Sequence, residues 1–162
     1  MIGSNPAPAL LKLEAAGSND LDALMTVMQA AFDPRFGEAW TRSQCRGILP
    51  MTGVSLMLAW DEKRETPLGF SMSRTIAGDS ELLLLAVAPA TRRRGVGRRL
   101  LQQFIERAKS EGATRMHLEV RDGNPAIEMY RAAGFEAAGR RNNYYRGTDG
   151  SQFDALTFVR TI

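Results

Sequence analysis

The sequence predicts one mixed α/β domain, and three observations carry that prediction. Short apolar runs bounded by turn residues alternate with amphipathic stretches of helical period along the chain. The most continuous apolar run, residues 82–88, ends at Pro89 and passes into a glycine-containing turn that opens a helix. No repeat, low-complexity tract or linker divides the 162 residues, a length that suits one domain with a substantial core.

Each element has its own local reason. Residues 1–9 are small and proline-containing and read as a flexible tail; the domain is residues 10–162. Residues 10–15 fit a first strand. Ser18-Asn19-Asp20 caps a helix carrying Leu21, Leu24, Met25, Val27 and Met28, with a breaker at Asp33-Pro34. Residues 36–40 read as a loop with exposed aromatics, in which Trp40 suits either a substrate entrance or a side chain folded over the core. Thr41 caps a short second helix ending near Gly47. Residues 54–60 and 68–75 make a hairpin candidate. After the central strand, Val96, Leu100, Leu101, Phe104, Ile105 and Ala108 fall on one helical stripe from Gly95 to about Ser110, and Gly112 supplies the C-cap.

In residues 115–121, Met116, Leu118 and Val120 alternate with His117, Glu119 and Arg121, a strand with one apolar face. Residues 122–125 form a turn that places Pro125 at the first position of a short helix with Ile127, Met129 and Tyr130, stopped at Gly134. The last strands are residues 135–140 and 153–160, separated by a polar loop containing Tyr144 and Tyr145.

Composition narrows the function. The apolar and charged fractions, 44% and 24%, are those of a globular chain and exclude a disordered one. Net charge is only +3, but most of the arginines lie between Arg92 and Arg146, which suits an anionic ligand, either a phosphorylated cofactor or a nucleic acid. The single cysteine, Cys45, excludes an internal disulfide and a cysteine-cluster metal site, and no metal is expected. No apolar run reaches the roughly 20 residues that span a bilayer, and the start of the chain lacks a signal-peptide pattern, so the expected location is the cytoplasm.

The turn at residues 92–99 is the candidate anion seat. A helix start carries unpaired N–H groups and partial positive charge. Gly95 and Gly97 have no β-carbon to keep a ligand's oxygens away, and five arginines surround them. Neither common nucleotide loop is present: there is no Gly-x-x-x-x-Gly-Lys-Ser/Thr, and Gly95-x-Gly97 lacks a third glycine. Arg92-Arg93-Arg94-Gly95-Val96-Gly97 instead resembles the Arg/Gln-x-x-Gly-x-Gly/Ala acyl-CoA loop of the GCN5-related N-acetyltransferases (the GNAT superfamily).

Within that superfamily the chain is most similar to the RimI type, which acetylates the N-terminal amine of a ribosomal protein. The resemblance rests on Leu85-Ala86-Val87-Ala88-Pro89, Arg93-Arg94-Gly95-Val96-Gly97-Arg98, Leu118-Glu119-Val120-Arg121, Tyr130 with Gly134-Phe135, and Arg140-Arg141-Asn142-Asn143-Tyr144-Tyr145. It is dense over residues 80–160 and general before them. It implies a mixed, mostly antiparallel sheet of about seven strands with a splayed central parallel pair, flanked by about four helices.

The resemblance also implies site roles. Acetyl-CoA is the cosubstrate, its pantetheine arm held by Leu85, Ala86 and Val87 and contacted by Asn124, its pyrophosphate held by Arg93, Arg94, Gly95, Val96, Gly97 and Arg98. Glu119 is implied as the base that deprotonates the amine and Tyr130 as the acid for the leaving thiolate. Glu81, where histone-acetylating relatives keep their glutamate, is the rival base, and His117 shares the Glu119 face as a possible relay. The Glu119–Tyr130 spacing is one residue shorter than in typical RimI members and Pro125 follows Asn124, which puts the asparagine's role in question. Tyr144 and Tyr145 fall where the family walls its peptide groove. The implied partner is a peptide or protein N-terminus, such as that of a ribosomal protein, with neither membrane nor direct nucleic acid. The alternatives are a small-amine or lysine acceptor on the same fold, or a basic RNA- or ribosome-binding module without catalysis.

Overall fold

The computed structural model describes residues 11–162, so the expected tail at 1–9 lies outside the described residues. Seven strands form one sheet: β1 (Lys12–Ala16), β2 (Val54–Trp60), β3 (Pro67–Ile76), β4 (Asp79–Val87), β5 (Arg115–Arg121), β6 (Glu136–Arg146) and β7 (Gln152–Thr161). Their order is β1-β2-β3-β4-β5-β7-β6, antiparallel throughout except for the parallel pair β4–β5. The helices are α1 (Leu21–Ala31), α2 (Arg42–Ile48), α3 (Val96–Ser110) and α4 (Ile127–Ala132). One face of the sheet buries Leu24, Met28 and Cys45 against Leu58, Phe70 and Met72. The other buries Leu101, Phe104 and Ile105 of α3 against Met116, Leu118 and Phe158. This is the α+β architecture the resemblance implied.

The splay of the central pair has a local cause. Met72 faces Leu84 across β3–β4 while Ser73 faces Leu82, so Leu83 is an extra residue, a β-bulge. As a result Leu83 and Leu84 both pack toward the α1 side, whereas Leu82 and Leu85 pack toward α3 and α4. A bulge bends its strand. Pairing of β4 with β5 ends at Leu82–Leu118, immediately before the bulge.

The second half departs from expectation in two places. β6 does not stop at residue 140 but runs to Arg146, so Tyr144 and Tyr145 lie in a strand rather than a loop. β6 is an edge strand, exposed along nearly its whole length, and its register against β7 slips between Ala137 and Gly139 and again between Arg141 and Tyr145. An edge strand that is polar on both faces has no alternation to reveal it. Helix α4 begins at Ile127, not at Pro125: the Asn124 side chain accepts the Ala126 N–H at 2.9 Å and the Asn124 carbonyl accepts the Ile127 N–H at 3.1 Å, so Pro125 belongs to the preceding turn.

The segment between α1 and α2 is docked rather than loose. Its short 3-10 turn, Pro34–Phe36, is capped by the Asp33 carboxylate and packs on the β6–β7 hairpin. The Thr148 N–H donates to the Pro34 carbonyl at 3.3 Å, and the Phe36 ring meets Phe153 edge-on at 5.2 Å. Phe36 and Trp40 are therefore half-buried, not exposed. Gly37, at φ 67°, lies where a β-carbon would collide with the Arg146 carbonyl. Gly37→Ala is expected to cost about 1–3 kcal/mol, the usual range for a strained backbone position, read as a lower denaturant midpoint. Gly17→Ala, with nothing within 4 Å of the new atom, is the control and leaves the midpoint unchanged.

Candidate active site

Beyond Leu82 and Leu118 the two central strands part, and a cleft of about 110 Å³ opens between them. On one side Leu85, Ala86 and Val87 pair with Ser71, Phe70 and Gly69 of β3; toward β5 they have no strand partner. That leaves β4 an open edge to which an extended ligand can add like a strand. Glu119 and Val120 of β5, Tyr130 of α4 and Tyr145 of β6 form the opposite walls.

At the end of β4 the chain turns through Arg93 (φ 66°) and Gly95 (φ 81°) into α3. The Arg99 N–H bonds the Gly95 carbonyl at 3.0 Å. The amides of Val96, Gly97 and Arg98 precede it, in the first turn, where no helical acceptor exists. The side chains divide the labour. Val96 is buried in the core, whereas Arg93, Arg94 and Arg98 are exposed. Arg92 is a brace: its guanidinium donates to the Ala31 carbonyl at 2.8 Å and the Val87 carbonyl at 3.3 Å. Gly97 matters for packing, since a β-carbon there would stand 3.4 Å from both the Met129 sulfur and a Val87 methyl. In front of Gly95 there is open space.

The Glu119 side chain is 12% exposed and both of its oxygens are engaged. The Thr157 hydroxyl donates to Oε2 at 2.8 Å, and Arg141 Nε stands 3.1 Å from Oε1. Tyr130 is buried, edge-on to Phe135 at 6.3 Å. Burial, and secondly the negative charge of Glu38, push its phenol well above the ordinary tyrosine range. Tyr145 is raised by the same two causes in the same order. Glu81 also lines the cleft, its side chain 38% exposed, with His117 Nε2 at 3.8 Å. His117 Nδ1 is 3.1 Å from Asp79, so this histidine contacts the two acids of β4.

Glu38 is the cleft residue that local sequence reading misses. Its Oε1 accepts from Arg121 Nε and its Oε2 from the Asn124 amide, both at 3.2 Å. The Asn124 side chain is thus spent on Glu38 and on the Ala126 N–H. The available signal was an acid set between two aromatics, Phe36 and Trp40, in an otherwise unassigned loop.

An open strand edge, a helix start for an anion, and a carboxylate and a phenol in one cleft are the parts of an acyl-thioester transferase. The chain belongs to the acetyltransferase (GNAT) family, whose model matches residues 21–135. It is 37% identical over 94 residues to the [ribosomal protein bS18]-alanine N-acetyltransferase of Escherichia coli strain K12, a match covering 57% of this chain and 63% of that protein. The protein of the same description from Haemophilus ducreyi is 32% identical over 145 residues, 89% of this chain and 95% of its own length. The crystal structure of the ribosomal-protein-S18-alanine N-acetyltransferase from Escherichia coli superposes with a TM-score of 0.82 at 26% identity, covering 94% of each chain.

Proposed function

We propose that this protein transfers the acetyl group of acetyl-CoA to the α-amine at a protein N-terminus, with a ribosomal protein of the bS18 kind as acceptor. The observation that carries the reading is the open edge of β4 beside Glu119 and Tyr130 in one cleft. The acceptor class rests on the similarity to the bS18-alanine N-acetyltransferases of Escherichia coli and Haemophilus ducreyi. In this reading Leu85, Ala86 and Val87 align the pantetheine arm, and the turn from Arg93 to Arg98 holds the pyrophosphate.

The chemistry assigns the side chains. An ammonium has no lone pair, so the acceptor must lose a proton before it attacks; Glu119 takes that proton. The nitrogen–carbon bond forms at the thioester carbonyl and the carbon–sulfur bond breaks. The nitrogen gives up a second proton, which ends on the departing sulfur, while the Tyr130 hydroxyl donates a hydrogen bond to that sulfur. Each turnover of a protonated amine therefore releases one proton, balanced by Glu119 returning to its carboxylate form.

The test is incubation with acetyl-CoA and a panel of amines: a bS18 N-terminal peptide, unrelated N-terminal peptides, a lysine-containing peptide with a blocked N-terminus, and small amines. Release of free CoA with added mass at the α-amine of the bS18 peptide is expected. Turnover of lysine or small amines alone would overturn the acceptor and keep the chemistry. Salt-sensitive RNA binding with no acetyl-CoA binding would overturn both.

A further inference from the structure

We propose that Glu38 is the ammonium-binding residue of the acceptor site, receiving the amine in its protonated form before the base acts. The inference rests on the function proposed above and deepens it, because that reading gives Glu38 no role.

Three observations converge on Glu38. It lines the cleft although it comes from outside the central strands, carried there by a segment pinned to the β6–β7 hairpin through Phe36, Gly37 and Thr148. Its carboxylate is fixed at both ends, by Arg121 on one oxygen and Asn124 on the other. A carboxylate offers about four lone-pair sites, so two donors leave acceptor capacity for an ammonium. Finally, its cation is turned away from the cleft's chemistry: the Arg121 guanidinium stacks 3.7 Å over the Phe36 ring and also reaches the Asp122 carbonyl.

The side chains of the Glu38–Arg121 pair are each only 10% exposed. A buried ion pair is a weak source of stability and is expensive to assemble. A pair held this far from water, with the carboxylate side bordering the cleft, fits a binding role better than a structural one. The field of Glu38 also reaches the hydroxyls of Tyr130 and Tyr145, which it helps to keep protonated. The titratable groups that line this cleft with Glu38 are Glu119 of β5, Glu81 of β4, Tyr130 of α4, and Tyr144 and Tyr145 of β6, with Arg121 behind Glu38 and Arg141 against Glu119. Of the three carboxylates, Glu119 is engaged by Thr157 and Arg141, and Glu81 is the most exposed. Glu38 and Glu119 are both anchored and shielded; with Glu119 as the base, Glu38 is the carboxylate left to serve as a fixed ammonium receptor.

Charge recognition can be separated from folding by comparing a free-amine peptide with the same peptide already acetylated. Affinities of both for the CoA-bound protein are measured by calorimetry, for wild type and Glu38→Gln, at pH 6.5 and pH 9. An α-amine titrates near 7.7–8.0, so it is charged at the lower pH and largely neutral at the higher. Glu38→Gln is expected to weaken the free-amine peptide about tenfold or more at pH 6.5, the scale of a lost charge-assisted hydrogen bond. The penalty is expected to shrink toward onefold at pH 9, and the acetylated peptide is expected to bind both proteins alike at both pH values.

Equal weakening of both peptides, or no weakening of either, overturns the proposal. Glu38→Asp keeps the charge and is expected to keep the preference for the charged peptide; loss of that preference in the aspartate variant also overturns it. If the wild type acetylates a lysine side chain or small amine instead, the N-terminal reading fails. The same comparison on that amine, with the pH pair set either side of its own titration, then decides the role of Glu38 separately.

Discussion

Glu119→Gln is expected to lower turnover of the acceptor peptide by about 100-fold or more, the scale of a positioned proton-transfer group, with acetyl-CoA affinity unchanged. The substitution is nearly isosteric, so the amide oxygen can still accept from the Thr157 hydroxyl that holds Oε2. Arg141 loses its counter-charge, but its side chain is 61% exposed, and an ion pair with so exposed a partner contributes little to stability. What is lost is the capacity to take a proton. In the proposed reading the base is freed at Oε1, which is held by an arginine on an exposed edge strand that the incoming amine can displace. Initial rates of CoA release, with calorimetry for acetyl-CoA, measure both quantities. Glu81→Gln in parallel is expected to lose less than about tenfold, since Glu81 is more exposed and contacts His117. A larger loss from Glu81→Gln than from Glu119→Gln moves the base to β4.

Much of the fold was legible because its signals are local. Strand β5 falls on residues 115–121 as the strict alternation of Met116, Leu118 and Val120 predicted, and β2 on 54–60. The six apolar residues of α3 are all buried. The bulge at Leu83 was not legible: in a run of four leucines one inserted residue disturbs no visible alternation. The long edge strand β6 was missed for the opposite reason, having no apolar face to show a period.

Site legibility follows the same division. The helix start after β4 and the two faces of β5 are sequence-local, so Gly95, Glu119 and Tyr130 could be singled out from spacing and resemblance. Glu38 could not, because its partners Arg121 and Asn124 lie 83 and 86 residues away. Gly97 shows a subtler gap: the position is special for packing against Val87 and Met129, which spacing alone cannot distinguish from approach by a ligand.

Tyr130→Phe is expected to reduce turnover by about 100-fold while leaving the fold intact. The ring packs edge-on to Phe135, and phenylalanine preserves that contact. The hydroxyl is the part at issue. Burial first, and Glu38 second, hold its proton more tightly than an exposed phenol, which ionises near pH 10. A free thiol ionises at about 8.5, so complete proton transfer from this phenol to the departing sulfur runs uphill. Tyr130 is therefore best suited to steady the developing thiolate with a hydrogen bond while the positively charged nitrogen of the tetrahedral adduct supplies the proton. It follows that the alkaline limb of the rate profile belongs to another group, and the residual activity of Tyr130→Phe is expected to keep the wild-type limb. A limb that moves in the variant makes the phenol a titrating acid instead. The same upward shift has a stability consequence. It costs nothing below about pH 10, where the unfolded phenol keeps its proton, and stability is lost as pH rises from there toward the folded value, because the unfolded chain ionises first. Between pH 9 and 11 the wild type is expected to lose more of its denaturant midpoint than Tyr130→Phe, and equal losses would mean that Tyr130 ionises as readily in the folded protein as in the unfolded chain.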